Sequence, residues 1–283
     1  MKKELSTSEK IEQSINKKFR KTIWNPFVAS VKRYNLIEEN DKIAVCISGG
    51  KDSVLLAKLM QMLCKYSDFP FSLEYIVMDP GYIPENRKKI EENATLLGIN
   101  VKIFDTDIFN SVVNVKSSPC YLCARMRRGY LYEFAQSLGC NKIALGHHFD
   151  DVIETTVMAM FHGAQLQGML PKLRSTNHPG MQLIRPLYSV EEDAICAWRD
   201  YNSLSFLQCA CRFTEMANTD EQVSKRLEVK NLLKALKKDN PMICKNIFCA
   251  LHNVCLDTFC EYKSNGVRYD FNTIFERGEI RDE

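Results

Sequence analysis

One alternation narrows the fold more than anything else in this chain. Short β-rich apolar runs at 41–48 (DKIAVCIS), 72–79 (SLEYIVMD), 100–105 (NVKIFD) and 141–148 (NKIALGHH) are each followed by a helical pattern. Those patterns lie at 54–66, 84–98, 120–139 and 150–163. Apolar runs without strict alternation suit strands buried on both faces, and strand–helix repeats predict βαβ units. The expected class is therefore α/β, a parallel sheet with helices on both faces, spanning 36–188. Ahead of it, Ile11, Ile15, Phe19, Ile23, Phe27 and Val31 recur every fourth residue and place one apolar stripe on an N-terminal helix. That helix is expected to break and restart at WNPF, with Asn25 as cap and Pro26 in the first turn. Beyond the core, helices at about 190–203, 219–238 and 241–256 make a helical region over 189–260, and 261–283 reads as a loosely ordered tail.

Charge is uneven along the chain. Residues 1–35 carry nine Lys or Arg against three Glu, so this segment is +6 while the whole chain is only +3. A basic arm suits a phosphate-rich partner such as RNA, although a solvated helix face has the same composition. The opening MKKELSTSEKIEQ has no apolar stretch behind its lysines, and no run of about 18 apolar residues occurs, so neither a signal peptide nor a membrane span is expected. The expected location is the cytoplasm. There the 12 cysteines stay reduced, most as small buried side chains and a few as candidate metal ligands.

SGGKDS (48–53) closes the first strand and opens the first helix. At such a turn, backbone N–H groups and the positive helix end meet an anion. Gly49 and Gly50 let the backbone come close, Lys51 adds a point charge, and Ser48 and Ser53 add hydroxyls. The spacing fits neither a Walker A loop nor a G-x-G-x-x-G fingerprint. A second stretch, GHHFDDVIET (146–155), follows the fourth strand, so a parallel sheet brings it to the same crevice. Its adjacent Asp150 and Asp151 suit Mg²⁺ binding, substrate positioning or helix capping. The preferred division makes Asp150 the N-cap and leaves Asp151 free for chemistry. Of His147 and His148, one is expected to pack under the strand end.

SPCYLCARMRRG (118–129) starts a helix with Cys120 and Cys123, and Arg125, Arg127 and Arg128 follow. The helix dipole and these arginines favour thiolates there. Taken alone, the pair fits a redox dithiol, half a zinc site or part of an iron–sulfur cage. No second Cys-x-x-Cys exists; LQCACRF supplies Cys209 and Cys211 instead. Cys244, Cys249, Cys255 and Cys260 have spacings unlike a zinc knuckle, and the first three fall on a predicted apolar helix.

SGGKDS matches the pyrophosphate loop S-G-G-x-D-S of the PP-loop ATP pyrophosphatases. Together with C-x-L-C-x-R-x-R-R-G, GHHFDDVIET, RPLYSVEEDAI, a later cysteine and KNIFCALHNV, it resembles the TtcA/TtuA group of sulfur-inserting PP-loop enzymes over most of 30–256. Terminal Cys-x-x-Cys fingers typical of the TtuA side are missing, which favours the resemblance to TtcA-type tRNA 2-thiocytidine synthetases.

The resemblance implies a Rossmann-variant fold and an ATP-dependent tRNA thiolase. It also implies a [4Fe–4S] cluster on Cys120, Cys123 and Cys209, with one iron open to carry sulfide from an external sulfur donor or a cysteine desulfurase. Cys211 competes with Cys209, because the family usually has C-x-x-C at that place. ATP and Mg²⁺ are expected at Ser48, Gly49, Gly50, Lys51, Asp52, Ser53, Met78, Gly146 and Asp151, with Arg127 and Asp151 as a catalytic pair. tRNA is the expected substrate, with an anticodon-loop cytidine as target, and a homodimer is implied. Two other readings stay open. One keeps the fold and changes the substrate, to a thiouridine or a small molecule. The other is a non-catalytic RNA-binding or iron-sensing protein.

Overall fold

The computed structural model describes residues 5–108, 119–207 and 221–276, the side chains of 119–124, 221–224 and 274 excepted. The chain forms two compact units, Met1–Leu233 and Lys234–Glu283. The first is built on β1 (Lys42–Ile47), β2 (Ser72–Asp79), β3 (Val101–Asp105), β4 (Lys142–Ala144), β5 (Lys172–Arg174) and β6 (Gln182–Ile184). Their order across the sheet is β3-β2-β1-β4-β6-β5. All neighbours run parallel except β5, which pairs antiparallel with β6 at the edge.

The sequence of β1 shows why helices must cover both faces. Ile43, Val45 and Ile47 join a core with Ile11, Phe27 and Leu55, whereas Ala44 and Cys46 join another with Tyr132, Ala135 and Ile143. Side chains alternate across a strand, so an unbroken apolar run buries on both sides. The covering helices are α1 (Thr7–Asn16), α2 (Asn25–Arg33), α3 (Lys51–Tyr66), α4 (Pro84–Leu97), α5 (Pro119–Ser137), α6 (Phe149–Gly163) and α7 (Glu192–Tyr201), and α8 (Glu221–Asp239) begins in the first unit and ends in the second. The expected α/β class therefore holds. β5 and β6 were not expected, and β4 is shorter than the 141–148 run from which it was read.

The N-terminal stripe is buried as expected, from Ile11 through Val31. A strict four-residue repeat drifts by about 40° per step around a straight α-helix of 3.6 residues per turn. The chain offsets that drift with a π-helical turn at Arg20–Trp24 between α1 and α2, whose wider winding brings the stripe back toward the core. Asn25 is not the N-cap of α2: it closes the π-helical turn with helical dihedrals, Trp24 takes the N-cap position, and no side chain caps α2. Pro26 does sit in the first turn.

In the second unit, α9 (Ile243–Ala250) ends before Cys255, so that residue lies outside the helix expected to carry it. The expected loose tail is instead a hairpin of β7 (Glu261–Ser264) and β8 (Val267–Asp270), followed by α10 (Phe271–Glu276). Its two-residue turn is Asn265–Gly266, with φ of +51° and +80°, and Asn-Gly is the residue pair that such hairpins favour.

Candidate active site

In this sheet the chain steps outward from β1 to β2 and β3, then returns to the other side of β1 as β4. Ligands of open α/β sheets gather at such a switch, beyond the carboxyl ends of the strands. The loop after β1 carries Ser48–Ser53 and the turn after β4 carries Gly146–Asp151. The two are in contact: a Cβ on Gly146 would lie 3.0 Å from the Ser53 nitrogen and 3.1 Å from Ser53 Cα. Only glycine lets the β4 turn pack this closely against the loop backbone.

The loop is held from within and from both sides. The Ser48 amide and hydroxyl both donate to Ser53 Oγ, at 3.1 and 3.2 Å, and Ser53 Oγ donates to the Gly50 carbonyl at 2.9 Å. Gly49 has φ +83°, and a Cβ there would lie 2.7 Å from Ile90 Cγ1. Its carbonyl accepts from the Leu207 amide at 3.2 Å. The N-cap of the 16-residue α3 is Gly50, so no side chain caps its first turn. That leaves the helix end suited to an anion, as the loop sequence implied.

Charged groups converge on this loop. Lys51 Nζ lies 3.2 Å from both carboxylate oxygens of Asp52, donating to Oδ2, and 3.0 Å from Glu192 Oε1. Burial works against the Lys51 charge, but Asp52 and Glu192 outweigh it and raise the pKa. Asp52 Oδ1 is buried without a hydrogen-bond partner among the described residues. His148 Nε2 lies 3.8 Å from that oxygen and 3.6 Å from Asp151 Oδ2, and its Nδ1 is 3.7 Å from Asp150 Oδ2.

The expected division of labour between the two aspartates is corrected. The N-cap of α6 is His148, not Asp150. Asp151 caps with one oxygen, accepting the His148 amide at 3.0 Å, and offers the other to Arg226. Asp150 accepts the Glu192 amide at 2.6 Å and so joins α6 to the start of α7. Burial would raise the Asp151 pKa, but His148 and Arg226 outweigh it and hold the carboxyl ionised. His147 is pushed down to about 4, chiefly by burial, and is neutral at pH 7.

Met78 and Arg127 sit on the β2 side of the sheet. The Met78 side chain is buried with Ile108, Phe104 and Met126, which leaves only its backbone for a ligand. Arg127 donates to the Tyr82 hydroxyl at 3.3 Å; among the described residues no hydrogen bond or ion pair joins it to Asp151 as the expected pair requires. Cys120 and Cys123 lie three apart at the start of α5. Cys209 and Cys211 lie outside the described residues.

Sequence reasoning missed Glu154, Arg185, Glu192, Arg226 and Lys230. Arg226 Nε donates to the buried Glu154 at 3.0 Å, and Lys230 Nζ to Glu192 Oε2 at 2.6 Å. Arg185, one residue past β6, is buried; it donates to the Leu170 carbonyl while its Nε has no partner among the described residues. Burial pushes its pKa down to about 10. Glu154, Arg185 and Glu192 sat inside quoted motifs, whereas Arg226 and Lys230 carried only an i, i+4 spacing as signal.

Glu192 provides a pH test. Burial would raise its pKa, but hydrogen bonds from Lys230 and Lys51 bring it to about 2, against 4.5 in an unfolded chain. A carboxyl depressed in the folded state adds stability above the unfolded pKa and loses it as pH falls through the folded one. The stability difference between the parent and Glu192→Gln is therefore expected to be full above about pH 5 and to vanish toward pH 2, as read by urea unfolding at a series of pH values.

Comparison with known proteins agrees with this geometry. A model of the PP-loop domain family matches residues 9–226. A tRNA-cytidine(32) 2-sulfurtransferase of Geotalea uraniireducens is 38% identical, over 80% of this chain and 88% of its own length. A protein of the same name from Polaromonas naphthalenivorans is 32% identical over 97% of this chain and 87% of its own length. Among solved structures, the U34-tRNA thiolase NcsA from Methanococcus maripaludis, with its [4Fe-4S] cluster, superposes with a TM-score of 0.64 at 21% identity. That match covers 84% of this chain and 80% of the thiolase, and it speaks for the fold alone. On sequence, architecture and the loop at the sheet's switch point, the chain belongs to the tRNA-cytidine(32) 2-sulfurtransferase family of PP-loop proteins.

Proposed function

We propose that the protein is an ATP-dependent tRNA sulfurtransferase that replaces the C2 oxygen of an anticodon-loop cytidine, residue 32, with sulfur. The observation that carries this reading is the junction at the β1/β4 switch. There the SGGKDS loop, its uncapped helix end and an ionised Asp151 meet in a chain with relatives of that activity along most of its length. The C2 oxygen attacks the α-phosphorus of ATP; an O–P bond forms, the α–β bridge breaks and pyrophosphate leaves. Sulfide then adds at C2, and the C–O bond breaks to release AMP with the former base oxygen.

The loop N–H groups and Lys51 take up negative charge on the phosphates, and their fixed orientation means that they need not reorganise as the charge shifts. Asp52 and Asp151 are the carboxylates fitted to a phosphate-bound Mg²⁺. Among the described residues no group of three metal ligands forms, and a site of one or two carboxylates completed by phosphates suits this cation. Arg127, held by Tyr82, is a cation for the tRNA side of the cleft. Cys120, Cys123 and Cys209 would hold a [4Fe–4S] cluster, which supplies an open iron able to carry the sulfide. A single-stranded loop base presents its edge without an unpairing cost, which suits this chemistry. The basic N-terminal helices supply phosphate contacts. No described helix is long and apolar enough to cross a membrane, and we assign the protein to the cytoplasm, with sulfide or cysteine-desulfurase-derived sulfur brought to the sulfide level as donor and a homodimer as the working assembly.

The test is nucleoside mass spectrometry of tRNA from a deletion strain, with anaerobic iron and sulfide analysis of the purified chain. Loss of 2-thiocytidine and about four iron and four sulfide per chain are expected. Unchanged 2-thiocytidine sinks the substrate assignment, and zinc alone sinks the cluster.

A further inference from the structure

α8 brings two cations to the site that neither the loop motif nor the cysteine pattern contains. Arg226 and Lys230 are four residues apart and share one helix face. Arg226 bridges Asp151 and Glu154. Lys230 takes one oxygen of Glu192, at 2.6 Å, while Lys51 of the loop takes the other, at 3.0 Å. A single carboxylate thus separates the loop lysine from the helix lysine. The side chains of Arg226 and Lys230 remain 45% and 31% exposed, so a solute can reach them.

Charge balance gives these contacts a purpose. Asp52, Asp150, Asp151, Glu154 and Glu192 form one connected group around the loop, with His148 between the three aspartates. Without α8, Lys51 and His148 would face five carboxylates, and a triphosphate would meet net repulsion. The two α8 cations offset it. In each pair the carboxylate is largely buried while the cation stays partly exposed, so a more highly charged anion can reach the cation and compete for it. Arginine's fork also fits phosphate oxygens two at a time.

We propose that Arg226 and Lys230 form a polyphosphate clamp, binding the β- and γ-phosphates of ATP and then the departing pyrophosphate. This rests on the reading of SGGKDS as the ATP loop. The clamp residues pair with Asp151, Glu154 and Glu192. On binding, Arg226 leaves the Asp151 oxygen that it covers, which frees that oxygen for a phosphate-bound cation. One event therefore moves positive charge onto the polyphosphate and exposes the carboxylate.

The experiment is calorimetric binding of inorganic pyrophosphate, and separately of AMP, to the full chain purified anaerobically. Arg226→Gln and Lys230→Gln are each expected to weaken pyrophosphate binding at least tenfold while AMP binding stays within twofold. Arg226→Lys and Lys230→Arg, which keep the charge, are expected to recover most of the loss. A purely anchoring role for α8 predicts otherwise: either pyrophosphate affinity within twofold of the parent in both glutamine variants, or equal weakening of AMP and pyrophosphate with a lowered melting temperature. Either result overturns the clamp. Lys51→Gln separates the two levels of the argument. If it weakens pyrophosphate binding while the α8 variants do not, the clamp alone fails; if it has no effect, the loop reading fails with it.

Discussion

Asp151→Asn is expected to lower the thiolation rate by about 100-fold or more while leaving the fold in place, because removing one preorganised group beside developing charge costs on that scale. The expectation of an intact fold follows from how the carboxylate divides its work. One oxygen accepts the His148 amide that starts α6, and an asparagine carbonyl can do the same. The other oxygen meets Arg226, which keeps Glu154 as a partner after the change. What the amide cannot supply is negative charge, and the surroundings hold Asp151 ionised against the pull of burial. The measurement pairs single-turnover thiolation with pyrophosphate release and a thermal melt. A variant that melts normally yet turns over within threefold of the parent would remove Asp151 from the chemistry.

The second large effect concerns stability. Lys142 begins β4 and is fully buried, with its ammonium 2.6 Å from Asp41, 2.7 Å from Glu38 and 3.2 Å from the Leu36 carbonyl. Asp41 is buried too, and also accepts from the Glu38 amide and the Asn141 side chain. Lys142→Met keeps the length of the side chain but strands the Asp41 charge, and breaking a buried pair from one side costs about 3–5 kcal/mol. Lys142→Met combined with Asp41→Asn removes the stranded charge and is expected to recover a large part of that loss in urea unfolding. A single variant as stable as the parent would mean that water reaches Asp41. The site depends on this pair indirectly. It fastens the starting ends of β1 and β4, whose register Ile43↔Lys142 through Val45↔Ala144 sets how Gly146 meets Ser53 at the other end.

The loop could be read from sequence because its signal is local: two glycines between an apolar strand and a long helix. The buried stripe of the N-terminal helices was legible for the same reason. β5 and β6 were not, since three residues each (KLR and QLI) are too few to show a period. The roles of Asp150 and Asp151 were misassigned because a carboxylate's partner is decided by tertiary contacts; Asp150 finds the Glu192 amide 42 residues away. Arg226 meets Glu154 and Asp151 across 72 and 75 residues, beyond any periodicity argument. The hairpin at the end of the chain was a different kind of miss, since Asn265–Gly266 announced it. The assignment of Cys209 over Cys211 and the cluster itself remain proposals drawn from resemblance.

The switch point has a further consequence for the order in which a ribosome makes this protein. Its parts emerge as three instalments: the loop at 48–53, the turn at 146–151 and the α8 cations at 226 and 230. Non-local pairings form late because the intervening chain must first be ordered. Until β4 joins β1, the glycine loop has no Gly146 to pack against, and until α8 arrives its carboxylates outnumber its cations. The surroundings of the loop are therefore completed only when nearly all of the first unit has been synthesised.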